Sequence, residues 1–208
     1  MTAVSDRPLR ADAARNAERI LRAAREVYGE LGPDAPVEAI ARRAGVGERT
    51  LYRRFPTKGE LIRAALDQSV AEDLTPAIEK ARRAGDPLRG LAQLIEAAIS
   101  LGAREHNLLT AAHRAGSLTP DLSTALYETL DELARRGQQA GVVRADLVAD
   151  DLPRIIAMLH SVLFTMDSGS DGWRRYVALM LDAIAVDRRR SLPPAAELRY
   201  GVSSGWPI

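Results

Sequence analysis

GVGERTLYRRFPTKGEL, residues Gly45 to Leu61, sets a glycine-bounded turn, an aromatic pair and four basic residues within one short amphipathic stretch. Leu51 and Phe55 lie four apart, on one face of a helix of about two turns, and Pro56 closes it from behind. Upstream, PVEAIARRAGVG places Pro36 at a helix entry and Val37, Ile40, Ala41 and Ala44 on one face, with Gly45 where that helix would end. Two short helices joined by Ala44-Gly45-Val46-Gly47 read as a helix-turn-helix, whose second helix enters the DNA major groove by its N-terminal end.

In that reading Leu51 and Phe55 pack on Ala41, Val46 and the preceding helix, leaving Gly47, Glu48, Arg49, Thr50, Tyr52, Arg53 and Arg54 toward double-stranded DNA. Arg49 can fork to the O6 and N7 of guanine, and Glu48 can accept from cytosine N4 or simply favour the helix N-terminus. Thr50 can touch a thymine methyl or a phosphate, and Tyr52 and Arg53 can bond phosphates. Thr57-Lys58-Gly59-Glu60 matches a capping box, with Thr57 as N-cap and Glu60 reaching back to its amide; Lys58 and the free amides there would hold a further phosphate. The bland alternative is that these arginines form a solvated face.

Outward from this stretch the pattern stays helical. Ile20, Leu21, Ala24, Val27, Tyr28 and Leu31 share one face, and Gly32-Pro33 stops them, which gives a helix over about 12–31 ahead of those at 37–44 and 48–55. A fourth helix runs from 58 toward Gly85, bent or interrupted at Thr75-Pro76. Five more are expected at about 88–103, 105–114, 120–140, 150–167 and 171–188, separated by Gly102 and other turn residues. Apart from Val142-Val143 at a turn, no run alternates as a strand would. The fold class is therefore all-α: a helix-turn-helix head over 1–57, a helical body over 58–190, and an extended Pro/Gly/Ser-rich tail over 191–208.

With 46% hydrophobic residues among 208, the chain can close a real core. Charge is uneven: up to residue 60 there are 12 basic against 9 acidic residues, and after it 17 against 19. The basic excess lies in the segment that would meet DNA. No cysteine is present, no apolar signal region opens the chain, and no run approaches a membrane span, so a cytoplasmic protein with no membrane partner is expected.

The stretch AIARRAGVGERTLYRRFPTKGELI resembles the N-terminal domain of the TetR family of transcriptional repressors, with the pattern A-x-x-A-G-V-S-x-x-T-L-Y-x-x-F-x-x-K-x-x-L. Ala41, Ala44, Gly45, Val46, Thr50, Leu51, Tyr52, Phe55, Lys58 and Leu61 fall on it, and the likeness spans roughly residues 12–61. Gly47 stands where the family most often has the N-cap Ser, which costs only a few tenths of a kcal/mol but removes a hydroxyl. The resemblance implies a nine-helix protein, a homodimer through its last two helices on a palindromic operator, and a small-molecule pocket whose occupancy lowers DNA affinity. RADLVADDLPRIIAML and WRRYVALMLDAI resemble, more weakly, the SbtR-type subgroup.

In the last two helices the apolar residues cover more than one face, a surplus that a partner must bury. Leu152, Ile155, Ile156, Leu159, Leu163, Trp173, Tyr176, Val177, Met180 and Ile184 are the candidate dimer interface; the alternative is that both helices are central in a monomer. For an apolar or amphipathic ligand the candidates are Leu94, Ala98, Leu101, Leu109, Leu130 and Phe164, with His113, Tyr127 and His160 as polar anchors. His106 and His113, seven apart, share a helix face, but with one further His and no Cys no metal is expected, and no cofactor either. No nucleophile–base motif, phosphate loop or H-E-x-x-H supports an enzyme. A DNA-binding regulator without a small-molecule effector stays open.

Overall fold

A computed structural model describes residues 7–118, 124–166 and 170–186. Among the described residues there are nine helices: α1 (Arg7–Leu31), α2 (Val37–Ala44), α3 (Glu48–Arg54), α4 (58–82), α5 (Pro87–Arg104), α6 (His106–Arg114), α7 (Thr124–Gln139), α8 (Asp151–Leu163) and α9 (Trp173–Ile184). The expected tail at 191–208, the expected helix start at Pro120 and the expected end at Arg188 lie outside them. Val142-Val143 does pair: Val143 bridges Ala185, and the Arg144 amide donates to the Ile184 carbonyl at 2.9 Å.

Two apolar clusters organise the chain. The head cluster gathers Ile20, Ala24, Val27 and Tyr28 of α1, Ile40 and Ala41 of α2, Leu51 and Phe55, and Leu61, Ile62, Ala65 and Leu66 of α4. It also takes Leu108, Ala111 and Ala112 of α6, so a helix beyond residue 100 completes the head. The body cluster is built around α5, which packs on α4, α7, α8 and α9, and buries Leu91, Leu94, Ile95 and Ile99.

α4 serves both clusters because it changes register in the middle. It consists of α-helical Lys58–Ser69, a π-turn at Val70–Leu74, and α-helical Thr75–Arg82, with the Thr75 amide donating to the Val70 carbonyl. The sequence placed a bend or break at Thr75-Pro76. The helix instead continues and the irregularity sits just upstream, for a physical reason: Pro76 has no N–H for the Glu72 carbonyl and its ring would strike it, and a widened turn relieves both. Arg136 closes the end of α4 by donating to the Arg82 and Ala84 carbonyls at 3.1 and 2.6 Å.

Gly102 is likewise not the break that its residue type suggested. It lies inside α5, and the chain turns at Glu105. Its missing side chain makes room for His160 of α8: a Cβ at Gly102 would collide with the imidazole at Nε2 and Cδ2. Gly102→Ala, despite its gain in helix propensity, is therefore expected to destabilise the fold by about 1–3 kcal/mol through overpacking. A thermal melt checks this; an unchanged or raised midpoint would contradict the packing described.

Candidate nucleic-acid interface

The α2–α3 turn follows from one residue in the left-handed region. Gly45 (φ 66°, ψ 35°) lets its own amide reach the Arg42 carbonyl at 3.1 Å while the Val46 amide reaches the Ala41 carbonyl at 3.0 Å, a Schellman closure of α2. Gly47 then caps α3 with extended backbone, its carbonyl accepting from the Thr50 and Leu51 amides. No side chain caps α3.

Leu51 and Phe55 are buried in the head cluster, and the rest of α3 faces out: Glu48, Arg49, Tyr52, Arg53 and Arg54 are exposed and Thr50 is half-buried. Sequence reasoning placed these residues together, and the structure does so. Arg49 and Arg53 have no ion pair or side-chain hydrogen bond among the described residues; Arg54 lies over the Phe55 ring at 5.7 Å. Arg42 of α2 is likewise without an ion pair or side-chain hydrogen bond among the described residues, while two other arginines of the neighbourhood are committed elsewhere. Arg43 grips Glu30 with two nitrogens at 3.0 and 2.5 Å and Glu26 at 3.1 Å, tying α2 to α1, and Arg114 holds Asp34. A short helix carrying exposed, unengaged guanidinium groups is suited to bind an external polyanion.

Thr57 Oγ1 accepts from the Glu60 amide at 3.1 Å, as the capping box requires, but the exposed Glu60 side chain does not close the box in return. Lys58 is not an idle cation. Its Nζ donates to the Ala35 carbonyl at 2.9 Å and lies 5.8 Å from the centre of the Tyr28 ring, which leaves two of its three N–H groups. Tyr28 itself is fully buried with no partner for its hydroxyl, and burial, helped by Asp34, pushes its pKa up to about 12.

The residues proposed for a body pocket separate into two groups. Leu94, Ala98, Leu101 and Leu130 are buried in the body cluster with Tyr127 packed against it. His160 sits at its edge, on Gly102, with Nε2 buried and unpartnered. The other three fall elsewhere: Leu109 packs on the head cluster because α6 belongs to the head, His113 is exposed on the same helix, and Phe164 is 68% exposed, its ring edge-on to His106 at 4.6 Å. Among the described residues no group of His, Asp and Glu is arranged to hold a metal ion.

The interface residues also need relocation. Leu152, Ile155, Ile156, Leu159, Trp173, Val177 and Ile184 are buried in the chain's own core, with Leu163 and Met180 packed against it, because the richest apolar faces of α8 and α9 turn inward. Of the set, only Tyr176 is exposed. The surplus apolar surface lies instead at Met158 (52% exposed) and Phe164 on one side and Tyr176 (41%) and Leu179 (53%) on the other. Sequence reasoning missed a polar cluster as well: Arg25, Ser69, Glu72 and Glu105, whose members lie up to 80 residues apart.

A helix-turn-helix head on an all-α body, with no helix among the described residues long and apolar enough to cross a membrane, defines the class. The sequence profile of the bacterial regulatory proteins of the tetR family matches residues 20–65. A TetR transcription regulatory protein from Mycobacterium vanbaalenii is 32% identical, the likeness covering 86% of this chain and 100% of that one at a TM-score of 0.59. A TetR transcriptional regulator from Streptomyces coelicolor is 29% identical, covering 83% of this chain and 99% of that one at a TM-score of 0.57. The HTH-type transcriptional regulatory protein RaaS of Mycobacterium tuberculosis is 31% identical over 126 residues, a match that spans 61% of this chain and 58% of RaaS. The chain belongs to the TetR family of bacterial transcriptional regulators.

Burial holds the pKa of His160 below the ordinary 6.5, against a backbone hydrogen bond at Ala98 and with a small push from His106. The unfolded chain thus takes up a proton near pH 6.5 that the folded chain refuses until lower pH, and stability falls as pH drops through that window. His160→Leu removes this contribution. The wild-type melting point is expected to fall more than the variant's between about pH 7.5 and about pH 5.5; parallel profiles would refute the burial argument.

Proposed function

We propose that the protein is a sequence-specific repressor that binds a palindromic operator as a homodimer and is released by a small apolar or amphipathic ligand in the body. The observation that carries the DNA reading is the outward face of α3, with Arg49 and Arg53 unengaged over buried Leu51 and Phe55. Arg49, one residue inside the helix start, reads base edges; Tyr52, Arg53, Arg54 and Lys58 meet the backbone. Two copies hold their α3 helices about one DNA turn apart, ~34 Å.

The partner copy covers Met158 and Val162 of α8 and Tyr176, Leu179 and Ala183 of α9, which recur at three-and-four spacing on the outer faces of these helices. Ligand entering near Leu94, Ala98, Leu101, Tyr127, Leu130 and His160 moves α4 and spoils the spacing of the two α3 helices. A preference of a few kcal/mol for the moved form suffices, since about 1.4 kcal/mol is tenfold in affinity.

Arg49→Ala is expected to cost about 1–3 kcal/mol of binding and to relax preference at one position per half-site, measured on single-base variants of the preferred site. Lys58→Ala should weaken all duplexes alike and lower the slope of log K against log salt by about 1; an unchanged slope would leave Lys58 only its tie to Ala35. Met158→Glu with Leu179→Glu is expected to convert the dimer to a folded monomer in sedimentation at micromolar concentration. A dimer that survives both charges would place the interface elsewhere.

A further inference from the structure

α4 is shared between two cores, and the place where it passes from one to the other is also where it is irregular. Its first segment buries Leu61, Ile62, Ala65 and Leu66 in the head; Leu74, Ile78 and Ala81 are buried in the body. The π-turn Val70–Leu74 joins the two sets and ends on Leu74. A π-turn holds its residues by i→i+5 bonds in a widened ring, and it is one of the few places where a helix can change register or direction without losing its pairing.

A polar cluster converges on that turn from both sides. Arg25 of α1 donates through Nε to Glu105 Oε1 at 2.8 Å and through Nη1 to Glu72 Oε2 at 2.6 Å. Ser69, the last residue before the turn, donates to the same Glu105 Oε1 at 3.0 Å, and Arg104 holds Asp73 at 2.8 Å. Glu105 is only 6% exposed, and a carboxylate at that depth is tolerated because its charge is paired and its oxygen bonded. The corner between α5 and α6 is thereby fastened to α1 and to the π-turn at one atom.

The body grips the same corner from the other side. Three residues before Glu105, Gly102 seats the His160 ring of α8; one residue after it, His106 meets the Phe164 ring. A shift of α8 against α5 therefore reaches Glu105 within one helical turn. It must then either break the Glu105 bonds or carry α1 and the π-turn with it.

We propose that Glu105 and Arg25 are positioning residues: a latch across the π-turn of α4 that sets the angle of the head on the body and passes a change at α5 or α8 to α3 through α1. This rests on the DNA-binding reading above and adds to it the residues through which the body and the head communicate. Linkage makes the latch testable with DNA alone, because whatever in the body alters DNA affinity must be altered by DNA in return.

The test is hydrogen exchange on the full chain, with and without a duplex carrying its preferred site. It compares wild type with the double variant Arg25→Met/Glu105→Leu, in which neither charge of the latch is left without its partner. In wild type, DNA should slow exchange in α3 and also, by about threefold or more, over residues 98–109. In the double variant, protection of α3 should persist and that of 98–109 should vanish. Glu105→Gln, which keeps an acceptor for Ser69, should reduce the 98–109 effect and serves if the double variant does not fold. Full protection of 98–109 in the variants would overturn the latch, as would a wild type protected in α3 alone, which leaves the DNA reading standing. Absence of α3 protection in wild type would remove both.

Discussion

Arg25 and Glu105 stand 80 residues apart in sequence and 2.8 Å apart in space, and the arrangement of the head on the body depends on that pair. A carboxylate with so little exposure cannot be left alone, so the fold must bring an arginine to it. Bringing Arg25 there fixes the pitch of α1, and α1 is the helix on which α2 packs and to which Arg43 ties it through Glu26 and Glu30. The same atom of Glu105 holds Ser69, so the π-turn is fixed by the same constraint. α6, which begins one residue later, then enters the head cluster with Leu108, Ala111 and Ala112.

The boundary expected at residue 57 falls just after α3, but the apolar cluster of the head continues into α4 and α6. The head is closed only when α6 docks. An element whose neighbours in sequence lie in the body thus completes the core beneath the DNA-facing helix, which gives mechanical sense to a protein whose DNA affinity would answer to events in its body.

The helix-turn-helix was legible in the sequence because its determinants are local. Gly45 at the one position of positive φ between α2 and α3, Leu51 and Phe55 four apart, and Thr57 three before Glu60 each act within one or two turns of helix. The number of helices was legible for the same reason. What could not be read was anything decided between distant elements. Periodicity marks α8 and α9 as apolar on several faces but does not say which face meets α5, so Leu152, Ile155 and Trp173 were expected at a partner surface and lie inside instead. Gly102 looks like a helix terminator until His160 is seen to occupy its space. Arg25, Glu72 and Glu105 look in sequence like any other surface charges on amphipathic helices, and only the tertiary contact distinguishes them.

In the proposed mode of action two copies of the α3 face read DNA together. Selection from a random duplex library with the purified full chain, repeated at two salt concentrations, tests it most directly. The expected result is an enriched inverted repeat whose half-sites lie about one helical turn apart and which persists at the higher salt. Weak binding that disappears with salt and enriches no sequence would contradict it, and the arginines of α3 would then be a solvated face.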